Sequence, residues 1–229
     1  MANPAFIYNP PLHPYLEFLY QDEDIVVINK PSGLLSVPGK APEHRDSVIK
    51  RVNAVFPTAT VVHRLDMATS GVMILAMNKA AHRHLSRQFE TRQTRKRYFA
   101  RVWGEVEKES GEVNLPLICD WPNRPKQKVD VDSGKPAQTR YQVVKKTQQE
   151  SLVALYPVTG RSHQLRVHML SLGHPILGDR LYGTDESRLA AERLQLHASA
   201  LQVFHPVSNQ WLSFETPLPF GNFQPEPFL

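Results

Sequence analysis

Extended apolar segments outnumber helical ones in this 229-residue chain and do not alternate with them, which most narrows what it can fold into. Ile25-Val26-Val27-Ile28 reads as a short buried strand, ended by the turn formers Asn29-Lys30-Pro31-Ser32-Gly33. Residues 96–106 alternate as a strand does, with Tyr98, Ala100 and Val102 on one face and Phe99, Arg101 and Trp103 on the other. Further strands are expected at 72–77, 152–156, 197–204 and 210–214. Helices are fewer. Asp46 is placed to cap one over 47–55, which Pro57 stops, and Ala81, Leu85 and Phe89 form the stripe of a second over 79–91. A third follows Ser162 as N-cap and stops at Gly173, and a last lies near 187–196. The residues 120–138, with four prolines and glycines among basic side chains, read as a loop. This pattern predicts an α+β domain on a mostly antiparallel sheet. No repeat or Gly/Ser linker divides the chain, so 15–229 is expected to be one domain behind a proline-rich extended arm over 1–14.

The polar residues most suggestive of chemistry sit at a bend. His63-Arg64-Leu65-Asp66-Met67-Ala68-Thr69-Ser70-Gly71 lies between the apolar pair Val61-Val62 and the run 72–77, so it reads as strand, polar loop, strand. In extended backbone Arg64 and Asp66 leave on the same side and Leu65 on the other. A cation and an anion then share one pocket. The competing account is an Asx-type turn, in which Asp66 only caps backbone amides.

Two other clusters are candidates. Thr159-Gly160-Arg161-Ser162-His163-Gln164-Leu165-Arg166-Val167-His168 concentrates Arg, His and Gln at a strand-to-helix transition. His163 and His168 are five apart with no acidic residue to complete a zinc set, so no metal site is expected. The segment is either an exposed basic helix or a site for phosphates and carboxylates, with Leu165, Met169 and Leu172 as the apolar stripe and Arg166 at its edge. Arg95-Lys96-Arg97-Tyr98 leads three cations into a strand as a possible phosphate track.

Composition limits the alternatives. Lys and Arg number 27 against 22 Asp and Glu, a mild +5 that favours a polyanionic partner without requiring one. Cys119 is the single cysteine, so no disulfide within the chain is possible, in keeping with a reducing cytosol. No signal peptide is expected at the N-terminus, and no apolar run approaches the roughly 18 residues of a membrane span, so a cytoplasmic protein is expected. No dinucleotide fingerprint, phosphate loop, nucleophile elbow or zinc-deaminase signature is present, so no cofactor is expected.

Taken together these segments resemble the RluA family of pseudouridine synthases. The likeness rests on His63-Arg64-Leu65-Asp66 through Thr69-Ser70-Gly71, on Lys96-Arg97-Tyr98, and on the run from Gly160-Arg161 to His168. Asn29 to Gly33 and His174-Pro175-Ile176-Leu177-Gly178-Asp179 match as well, in the family's order, over roughly residues 20 to 215. The segment 115–125 is similar to a short member that modifies both 23S ribosomal RNA and the tRNA anticodon loop. The resemblance implies a pseudouridine-synthase-like catalytic domain on a mixed, bent sheet flanked by helices, with no separate S4-like RNA-binding domain. It implies that uridine in RNA is isomerised to pseudouridine without cofactor or metal. Asp66 is then the essential carboxylate, as nucleophile at C1′ or base at C2′; Arg166 pairs with it; Tyr98 lies beside the uracil and removes the C5 proton. Arg64 enters the stack vacated by the flipped base, with His63 and Arg161 as further substrate-binding residues. Arg92, Arg95, Lys96, Arg97, Arg124, Lys126 and Lys128 are expected to grip phosphates of 23S rRNA and tRNA stem-loops. Two other readings remain open at this point: a non-catalytic RNA-binding protein, and a nucleoside-cleaving hydrolase that uses Asp66 with a water.

Overall fold

The computed structural model describes residues 8–221, 223 and 225–228. Strands β1 (Glu17–Gln21), β2 (Ile25–Lys30), β3 (Thr60–Val61), β4 (Ser70–Ala76), β5 (Arg95–Trp103), β6 (Ser110–Asn114), β9 (Gln138–Lys146), β10 (Glu150–Pro157), β11 (Leu196–Phe204) and β12 (Trp211–Glu215) make one ten-stranded sheet. Its path is β1-β2-β4-β11-β5-β10-β9-β6, with β12 on β11 and β3 on β4. Every pairing is antiparallel except β4 with β11. With four α-helices (α1, Val48–Asn53; α2, Lys79–Glu90; α3, Gln164–Ser171; α4, Asp185–Leu189), this is the expected α+β architecture.

β2 and β4 are buried on both sides, which is why their sequences are continuous rather than alternating apolar runs. Val27, Val72 and Ile74 meet Ala81 and Leu85 of α2 on one face, and Val26, Ile28, Met73 and Leu75 meet Val48 and Val52 of α1 on the other. Along β5 and β10, Ala100, Val102, Val153 and Leu155 pack under Leu165 and Met169 of α3. Phe99 and Ala154 on the reverse face are covered by Phe220. Tyr98 packs against both the α1 and the α3 clusters, so the seam between them lies at its ring.

Several elements differ from expectation. Residues 120–138 are not all loop: β7 (Leu117–Cys119) pairs with β8 (Gln127–Val129) in a separate hairpin that leans on α3, where Val167 meets Leu117. Ser47, not Asp46, caps α1 by accepting from the Lys50 amide, because Asp46 is held by the buried Arg51. The expected helix near 187–196 is the short α4. Helix α3 begins one residue later than expected, after His163, and Leu172 is solvent-facing rather than in the core. The hairpin closes over the helix instead, so Arg166 and His168 are buried and α3 is no exposed basic helix. Of the expected arm, residues 1–7 lie outside the described residues; Tyr8 is docked, its hydroxyl donating to the Asp46 carbonyl and accepting from the Leu35 amide.

Candidate active site

The loop carrying Asp66 is held by backbone contacts from the turn after β2. Lys30 Nζ donates to the Met67 carbonyl, Ser32 to Ala68, and Ser36 to Leu65, while the Gly33 amide donates to Met67. The turn itself closes through the Thr69 amide on the Asp66 carbonyl oxygen. Among the described residues no backbone amide reaches the Asp66 carboxylate, so the Asx-turn account does not hold. Gly71 completes the bend: at φ +116° it lies so close to β11 that a Cβ would sit 2.2 Å from the Ala198 carbonyl oxygen. Only glycine fits the start of β4 here.

The Asp66 carboxylate faces a cleft lined by Arg64, Thr69, Lys96, Tyr98, Arg161, His163 and Arg166, with a cavity volume of about 100 Å³. Arg166 Nη1 donates to Asp66 Oδ2 at 3.3 Å. Its other donors, Nε and Nη2, fork onto the two oxygens of Asp179 at 2.7 Å each. Asp179 is 1 % exposed and also accepts the Leu181 and Tyr182 amides. The guanidinium is thus fixed by one carboxylate and presents one free edge to the other. Arg166 is not at the edge of an apolar stripe; it is buried beneath the cleft floor, with the Tyr182 ring 5.0 Å from its Cζ.

His163 adds a second donor-bearing group. Its Nδ1 is 2.7 Å from the Tyr182 hydroxyl and its Nε2 3.8 Å from Asp66 Oδ2. Burial lowers its pKa, against the opposing pull of Asp66, so the ring is neutral near pH 7. Burial, and then the Asp66 charge, raise the Tyr98 pKa, so it meets the cleft as a neutral phenol. Burial lowers Lys96 to about 8 and Lys30 to about 7, the latter partly restored by Asp66.

The structure brings Asp66, Arg166, Tyr98, Arg64, Arg161 and Lys96 to one cleft and leaves others outside it. His63 turns inward: its ring stacks on Phe89 at 4.5 Å and Nε2 accepts the Ile74 amide, so it supports the loop rather than lining the cleft. Burial drives its pKa down to about 3. Arg97 points to the reverse face of the sheet, bound to Ser199, Glu215 and the Glu226 carbonyl, and is not part of a phosphate track. Arg95 lies beside Trp211 on that same face. Arg92 is exposed after α2; Arg124, Lys126 and Lys128 sit on the β7–β8 hairpin. Sequence reasoning missed Asp179, Tyr182 and Lys30 as site-forming residues. Asp179 and Lys30 lay in matched motifs, but a carboxylate that acts on Arg166 and an ammonium that acts on the distant Met67 carbonyl have no local signature.

The family described as RNA pseudouridylate synthase matches residues 24–171. The chain is 58 % identical over 214 residues to the dual-specificity RNA pseudouridine synthase RluA of Escherichia coli strain K12, covering 93 % of this chain and 98 % of that protein. It is 54 % identical over 218 residues to the protein of the same name from Vibrio parahaemolyticus, with 93 % and 87 % covered. Among solved structures it is similar to human RNA pseudouridylate synthase domain containing 1, at a TM-score of 0.75 and 30 % identity over 96 % of this chain and 87 % of that one.

Proposed function

The chain belongs to the RNA pseudouridylate synthase family, and we propose that Asp66 is the carboxylate with which it isomerises uridine to pseudouridine, in 23S ribosomal RNA and the tRNA anticodon loop. The observation that carries the site assignment is the Asp179–Arg166–Asp66 chain at the cleft floor. It supplies one oriented carboxylate where a flipped nucleotide would enter. No second cleft carboxylate competes for it among the described residues, since Asp179 is buried behind Arg166.

The reaction is an isomerisation: the N1–C1′ bond breaks, a C5–C1′ bond forms, C5 loses a proton and N1 gains one. Asp66 acts on the ribose, at C1′ or C2′. Arg166 holds its lone pairs aligned. Tyr98 lies against the uracil; because its phenol is neutral, its oxygen takes the C5 proton only as the phenolic proton passes on through solvent, with N1 gaining one proton, so the phenol ends as it began. Arg64, solvent-facing at the rim, fills the gap left in the RNA stack, and Arg161 closes the opposite wall. Arg124, Lys126 and Lys128 on the hairpin meet phosphates. No helix of the described residues is long and apolar enough to cross a membrane. Action on ribosomal RNA and tRNA supports a cytoplasmic location.

Mapping pseudouridines in 23S rRNA and tRNA after incubation with the pure protein tests this reading. New pseudouridines in both RNAs without free uracil support it. Unmodified RNA that is nevertheless bound would leave only an RNA-binding protein, and free uracil would mean a hydrolase.

A further inference from the structure

We infer that His163 is a substrate-touching residue whose Nε2–H donates to the 2′-hydroxyl of the target ribose, and that Tyr182 fixes the tautomer that makes this possible. The inference rests on the proposed role of Asp66 at C1′ or C2′. The backbone of His163 is left-handed, φ +55°, a conformation that a non-glycine residue adopts at a cost. That turn aims the ring into the cleft just before α3 starts, with no side-chain cap to the helix in return.

Two contacts define the proton. The Tyr182 oxygen accepts the Gln127 amide of β8 at 2.7 Å and lies 2.7 Å from His163 Nδ1. With the amide as its donor, the phenol turns its own O–H to Nδ1, which leaves the proton of the neutral ring on Nε2. Nε2 faces Asp66 Oδ2 at 3.8 Å, too far for a hydrogen bond within the protein. The donor is therefore directed at the carboxylate's working space without being consumed by it. When Asp66 meets C1′ or C2′, the hydroxyl on C2′ is the good acceptor nearest that space, and it is the group that separates RNA from DNA. Tyr182 ties the hairpin, His163 and the Arg166 guanidinium to one ring.

The test is a double-substitution cycle. Protein with His163 or His163→Asn meets a synthetic anticodon-type stem-loop carrying either uridine or 2′-deoxyuridine at the target. Asparagine tolerates the left-handed backbone but stops near the position of Nδ1, so the fold is kept and the donor lost. The cycle is read on kcat/KM and on the dissociation constant of protein carrying Asp66→Asn, so a deoxy target without turnover still reports. His163→Asn is expected to weaken the uridine RNA roughly 3- to 10-fold and to leave the deoxy RNA within about twofold. Tyr182→Phe is expected to give the same pattern at smaller size. Equal losses on both RNAs, or a Tyr182→Phe protein that discriminates as the parent does, overturn the inference. A parent protein that forms no pseudouridine on the uridine RNA instead rejects the proposed function.

Discussion

Replacing Asp179 by alanine should damage both the fold and the chemistry, and for one reason. Arg166 and Asp179 are joined by two 2.7 Å bonds with side chains 5 % and 0 % exposed, so solvent screens the pair little. Removing one member leaves a buried guanidinium uncompensated, which costs about 3–5 kcal/mol. For a chain of this size that lowers Tm by roughly 6–20 °C. Without its fork, Arg166 no longer holds a fixed edge toward Asp66, and a displacement of the carboxylate by about 1 Å costs on the order of a hundredfold in kcat. The assay is thermal unfolding alongside kcat and KM on a stem-loop, for Asp179→Ala, Arg166→Met and the double variant. Because the buried charge is the cause, adding Arg166→Met to Asp179→Ala should recover stability while kcat stays low. A double variant that loses the sum of the two single losses would refute the reasoning.

Three further outcomes follow from particular contacts. Gly71→Ala should destabilise through its left-handed backbone, about 1–2 kcal/mol, with about 1–3 kcal/mol more from crowding Ala198, read by urea unfolding. Lys30 has a folded pKa of about 7 against 10.5 for an ordinary lysine, so between those values the unfolded chain binds more protons. Stability should rise with pH across that window and fall as pH drops toward 7, and Lys30→Met should flatten the slope. Lys126→Ala should reduce the salt dependence of RNA affinity by about one counterion, whereas Arg97→Ala should leave that slope alone and lower Tm, since its charge is spent on Glu215.

The bend at Asp66 was legible because strand, polar loop and strand have distinct local patterns, and the run 72–77 is indeed β4 but for Met77, with Gly71 where the backbone demands it. β5 was legible from alternation, which put Tyr98 on the correct face. The same alternation misassigned nothing at Arg97 except purpose: residue 97 faces away from 96 and 98, yet three adjacent cations read as one track. β9 went unassigned although Thr139, Tyr141 and Val143 alternate inward between polar positions, the same signal that marked β5. The Arg166–Asp66 pairing entered through the family likeness; 100 positions of sequence separate the partners, so no local pattern shows it. His63 entered as a substrate-binding residue through the family likeness, which carries no information on where its ring turns; the ring stacks on Phe89 and accepts the Ile74 amide.

Asp66 is proposed as the one carboxylate that performs the step on ribose. Its most direct test is single-turnover pseudouridine formation by Asp66→Asn, with RNA affinity measured on the same preparation. No detectable product is expected, while the dissociation constant stays within a few-fold of the parent protein's. Pseudouridine formed at a rate near the parent's would contradict it.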